Sequence, residues 1–182
     1  MTHPSKPVLQ AQIKRTSRIA AGVLAVSVIA TPLLLAIYVM SGPAVHHPWL
    51  VTLNVGAGAL EPPARAALFA ATLAALAPML WGLNQVRRMF IGYAEGKVFT
   101  ERAAMRFRRF ATALLLTAIT GPLALAALSL TLSWLGTVTP PAGVISVSST
   151  DAGLLLVGLV LRVIASVLHD AARLAEENAS FV

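Results

Sequence analysis

The chain has 182 residues, 57% of them hydrophobic and only 12% charged, where soluble domains carry about 25% charged residues. A mean hydropathy of +0.78 excludes an ordinary water-soluble domain. The formal charge of +7 would point to nucleic acid in a soluble chain, but the basic residues here lie beside apolar runs, so contact with an anionic inner leaflet accounts for them.

There is no cysteine, which removes disulfides, thiol catalysis and thiolate metal sites. Residues 1–18 are polar and basic and read as a cytoplasmic arm, helical from Leu9, with Lys14, Arg15 and Arg18 ahead of the first apolar run. That run, 19–40, carries no charge. At ~1.5 Å per residue it reaches roughly 33 Å, enough to cross a hydrocarbon core. It is too long for the apolar region of a cleaved signal peptide, so it is read as a retained span. An outer loop over 41–65 follows, with Trp49 suited to the membrane interface and WLVTLNV patterned as a short extended segment. The second span is expected over 66–86. A basic loop over 87–109 holds Arg87, Arg88, Lys97, Arg102, Arg106, Arg108 and Arg109 against Glu95 and Glu101. Gly92 and Gly96 are expected to break the helix there, and Thr100 to cap a new one beginning at Glu101. That helix should run on into a third span over 110–135. A second outer loop, 136–151, contains Pro140-Pro141, and its VISVSS alternates like a strand, so the two outer loops could pair as a small β cap. The last span, 152–174, is interrupted by Arg162, a charge that neighbouring Leu, Val and Ile can carry.

Basic residues concentrate on the cytoplasmic side of short loops. The arm holds four, the middle loop seven and the outer loops one, Arg65. The expected fold is therefore an all-α integral membrane protein, one membrane domain over 1–182. It has four transmembrane helices and cytoplasmic N and C termini. Thr31-Pro32-Leu33-Leu34-Leu35-Ala36 and Gly121-Pro122-Leu123-Ala124-Leu125-Ala126 hint at duplicated hairpins, but Ala/Leu-rich sequence produces such matches by chance.

Two constellations carry candidate chemistry. On the helix from Glu101, Arg102, Arg106 and Arg109 fall at i, i+4 and i+7, with Arg108 beside them; Ala103, Phe107, Phe110 and Leu114 fall on another face. This is the pattern of an interfacial helix with arginines at headgroup level. A topology signal with lipid contact is the plainer reading, protein docking the sharper one; no nucleic-acid recognition fold fits in the loop. The second is Arg162, a candidate intramembrane polar site. Its expected partners are Asp170, Glu61, Asp151 or a carbonyl freed by a proline, and snorkelling is the alternative. Pro32, Pro78 and Pro122 lie within spans, where proline is common. His46-His47 make no metal site without further ligands, and His169-Asp170 suit a surface role. No HExxH, GxSxG, GxGxxG or Walker pattern occurs, so neither a cofactor nor a metal is expected and the chain is not read as an enzyme.

Gly96-Lys97-Val98-Phe99-Thr100-Glu101, followed by a basic helix, resembles the G-x-x-F-[ST] inner loop of a bacterial four-span family, domain of unknown function 2975. Ser148-Ser149-Thr150-Asp151 with the apolar run Leu154–Leu161 and Ile164-Ala165 is similar to that family's last span, and Ala175-Glu176-Glu177-Asn178 to its acidic end. Arg162 departs from the apolar core of that span. The resemblance implies a small multi-pass inner-membrane protein, often encoded beside a helix-turn-helix regulator. The functional expectation is an interaction protein: a four-helix membrane bundle that touches anionic lipid at the inner leaflet. It would dock a cytoplasmic partner such as a transcription regulator on Arg102, Arg106, Arg108 and Arg109. A small-solute transporter or an accessory subunit of a transport complex is the alternative, disfavoured because proton-coupled transport usually needs acids in the core. Self-association into a homo-oligomer is left open.

Overall fold

The computed structural model describes residues 6–41, 46–55, 60–96, 100–138 and 143–179. Its elements are α1 (Lys6–Met40), α2 (Pro48–Thr52), α3 (Pro62–Ala94), α4 (Glu101–Trp134) and α5 (Ser149–Ala179). Four of these contain stretches long and apolar enough to cross a membrane: Ala11–Met40, Pro62–Ala94, Glu101–Trp134 and Ser149–Ala171. No strand occurs among the described residues.

The helices outrun the apolar stretches because end signals, not hydropathy, terminate them. Gly92 does not break α3, which continues to Ala94; a single helical glycine costs only ~1 kcal/mol. The stop comes at Gly96, in the left-handed region at φ 86°, with its N–H donating to the Tyr93 carbonyl at 3.0 Å. Thr100 opens α4 as expected, its Oγ1 accepting from the Ala103 N–H at 3.3 Å. At the far end of α4, Gly136 adopts φ 71°. The Thr137 and Gly136 N–H groups then bond the Leu132 and Ser133 carbonyls at 2.9 and 3.1 Å, a Schellman closure. Ser148 and Asp151 form a capping box for α5. The Asp151 Oδ2 accepts from the Ser148 N–H at 2.8 Å, and the Ser148 Oγ accepts from the Asp151 N–H at 3.2 Å.

The outer loops depart from expectation. WLVTLNV does not run extended: Pro48–Thr52 is helical, with Pro48 in the first turn and the His47 ring capping the Trp49 N–H. Asn54 at φ 53° turns the chain so that the Val55 N–H closes on the Leu50 carbonyl at 3.0 Å. Local capping overrides the β-like composition. Residues 144–148 of VISVSS are irregular and Ser149 opens α5; the Val144 N–H is taken by the Ser129 hydroxyl of α4 at 3.0 Å instead of a strand partner, so the described residues form no β cap.

The chain divides into two compact units. The first draws on Met1–Val28, Met79–Leu115 and Leu156–Val182. Here α4 is flanked by α3 and α5 at two glycines. A Cβ at Gly82 would stand 2.5 Å from the Ala113 Cβ, and one at Gly158 would stand 2.8 Å from Leu115 Cδ2 and 3.3 Å from the Ala111 carbonyl oxygen. Small residues at such contacts let helices approach closely, which is how helices associate where lipid removes the hydrophobic drive. The second unit holds Ile29–Pro78 and Leu116–Leu155. Its core gathers Val39, Leu50, Leu53, Leu68, Leu128 and Leu132, among others.

Candidate functional site

The basic face that opens α4 is shaped by what the same turns bury. Ala103, Ala104, Ala111 and Leu114 are buried, which leaves Arg102, Arg108 and Arg109 exposed. Arg106 is half-buried and donates to the Arg88 carbonyl of α3. The expected row of Arg102, Arg106 and Arg109 is thus cut at its middle: Arg106 ties α4 to the last turns of α3, and Arg108 takes its place on the outside. Phe107 and Phe110 are half-buried, and Phe110 packs over the position of Gly82. A cleft of about 340 Å³ lies beside this face, lined by Met89, Glu95, Glu101, Arg102 and Arg106 among others. It therefore mixes both signs of charge. Lys97 lies outside the described residues.

Among the described residues, Arg162 is paired with none of its expected partners. Its Nη1 donates to the Thr112 hydroxyl of α4 at 2.9 Å, and that hydroxyl donates to the Arg108 carbonyl at 3.0 Å. A neutral acceptor satisfies one donor without neutralising the charge. Thr112 stands eleven residues along α4 from Glu101, roughly 16 Å of helix. At that earlier position, the His169 Nε2 approaches a Glu101 carboxylate oxygen at 3.9 Å, so α4 and α5 run antiparallel in this unit. Asp170 is exposed.

Two polar arrangements in the second unit gave little sequence signal. His47 is buried. Its Nδ1 accepts from the Trp49 N–H at 3.3 Å, which places the ring proton on Nε2, 3.5 Å from the Thr72 Oγ1. Thr72 in turn donates to the Leu68 carbonyl at 2.8 Å. Burial lowers the pKa of His47 from its ordinary value of 6.5, so the neutral ring that this network needs is favoured. Arg65, which the charge count treats as the lone outer cation, is a helix clamp: Nε donates to Leu60 O at 3.1 Å and Nη1 to Val39 O at 3.2 Å. It thereby satisfies a terminal carbonyl of α1. Among the described residues no cluster of three or more His, Asp or Glu has metal-binding geometry.

Four helices long and apolar enough to cross a membrane define a multi-pass α-helical membrane protein. The chain belongs to the family described as protein of unknown function DUF2975, whose model matches residues 57–182. That match takes in α3, α4 and α5. No curated protein and no solved structure matches the chain.

Proposed function

We propose that the chain is an interaction protein of the bacterial inner membrane, with both termini cytoplasmic. It docks an acidic face of a cytoplasmic protein, a helix-turn-helix transcription regulator, on the arginines that open α4. The observation that carries this reading is the exposure of Arg102, Arg108 and Arg109 on turns whose other side is buried alanine. Exposed guanidinium groups on a rigid helix suit bidentate pairing with carboxylates. Arg106, bonded across to α3, holds that helix in place. The cytoplasmic side follows from the bias of four and seven basic residues against one.

Lipid contact is the competing explanation, at ~1 kcal/mol per basic residue near the surface. Replacing Arg102, Arg108 and Arg109 together by Lys separates the two, because Lys keeps the charge and loses the planar fork. The expected result is unchanged membrane expression with at least tenfold less regulator crosslinked in native membranes. Full recovery of the regulator would reduce these residues to a topology and lipid signal.

A further inference from the structure

A second feature of the first unit lies away from the α4 arginines. Between α1 and α3 runs a groove of about 440 Å³, lined by Arg18, Gly22, Ala25, Arg87, Ile91 and Glu95 among others. Gly22 in its lining makes no close helix contact: a Cβ there would meet nothing within 4 Å, unlike the tight approaches at Gly82 and Gly158. The space is open and flanked by cations. Arg18 is exposed and Arg87 half-buried. Arg87 is poorly satisfied. Its Nη1 reaches Asn84 Oδ1 only at 3.5 Å, and its Nε is shielded from water without a hydrogen-bond partner. A shielded donor without a partner is costly, more so on a charged group, and a phosphodiester supplies the acceptors that a guanidinium fork matches. Both arginines border apolar chain, Arg18 just before Ile19 and Arg87 just after the apolar part of α3. Ile91, an apolar residue of the groove lining, is 38% exposed. Cations next to bare apolar helix are the arrangement that a lipid headgroup and its acyl chains complement.

We propose that this groove binds a monoanionic glycerophospholipid, its phosphate held between Arg18 and Arg87 and its acyl chains laid over Ala25 and Ile91. The Glu95 carboxylate at the same groove disfavours a second negative charge, which selects a monoanionic headgroup over a dianionic one. The site is independent of the docking role assigned to Arg102, Arg108 and Arg109.

The test uses the full chain in detergent micelles, titrated with phosphatidylglycerol, with phosphatidylcholine of the same chains, and with inorganic phosphate; bound lipid is counted by native mass spectrometry. Phosphatidylglycerol is expected to bind at least tenfold more tightly than phosphatidylcholine. The Arg18→Gln, Arg87→Gln double variant should lose that preference and Arg15→Gln should keep it. Gly22→Leu, which fills the groove without touching charge, should weaken phosphatidylglycerol binding at least fivefold while leaving lipid-free stability unchanged; it decides the matter if the double variant fails to fold. Equal binding of the two lipids would overturn the proposal, as would a preference that survives both the double variant and Gly22→Leu. Competition by inorganic phosphate at the same concentration as the lipid would also overturn it, by making this a phosphate site and not a lipid site.

Discussion

At the scale of single residues, polar side chains are satisfied by partners that sequence spacing does not reveal. Arg162 is the clearest case, since a charge among Leu, Val and Ile suggests an acid and the partner is a hydroxyl fifty residues earlier. Thr112→Val should therefore destabilise the protein by about 1–3 kcal/mol, because it strands a donor. Arg162→Leu should be neutral or stabilising, because it removes an unneutralised cation from an apolar span while the Thr112 hydroxyl keeps its bond to the Arg108 carbonyl. Thermal unfolding of the two single variants and the double variant in detergent checks this: the Thr112→Val loss should vanish in the Arg162→Leu background. His47 carries a pH dependence of known sign. The neutral ring accepts from Trp49, and burial lowers its pKa, so its stabilisation is fully present above the unfolded value near 6.5 and is lost as pH falls through the lowered folded value. His47→Gln should flatten that part of the stability-versus-pH curve, measured as melting temperature between pH 7.5 and pH 4.5. His47→Ala should cost about 1 kcal/mol at neutral pH through loss of the cap. Nothing in an adjacent His-His pair on a loop distinguishes such a cap from an idle surface histidine; only the fold brings Thr72 to it.

At the scale of elements, long helices were legible and their ends and fittings less so. Apolar length alone located α1, α3, α4 and α5, and Thr100 was readable as a cap because its side chain acts within three residues. Short α2 was misread as extended: Trp, Leu, Val and Thr favour strands, and a five-residue helix has no periodicity to set against that. The row of arginines was readable as a helix face, but that Arg106 turns to α3 depends on a neighbour eighteen residues away in the chain. Glycines behave likewise, since their packing roles appear only with the partner helix in place. Gly82 faces the Ala113 Cβ at 2.5 Å, which cannot rotate away, whereas at Gly158 the closest atom is Leu115 Cδ2, the end of a side chain that can turn, and the fixed Ala111 carbonyl oxygen stands farther off at 3.3 Å. Gly82→Ala should therefore destabilise by about 1–3 kcal/mol through overpacking, despite the gain in helix propensity. Gly158→Ala should cost clearly less. Comparing the two melting temperatures in one detergent checks the order; equal losses would mean that backbone geometry and not side-chain mobility sets the tolerance.

At the scale of the whole molecule, composition was the informative signal, because hydrophobic length is a property of the chain itself. The proposed role needs the α4 arginines on the cytoplasmic side, and it needs α5 to bring the C-terminal tail to that same side despite Arg162. The most direct measurement is a set of reporter fusions in intact cells at four positions: after Gly96, at Val182, at Leu60 and at Gly143. Cytoplasm-active reporters are expected to work at the first two and periplasm-active reporters at the last two. A periplasmic signal from Val182 would contradict the fourth crossing, and one from the connection after Gly96 would remove the arginine surface from any cytoplasmic partner.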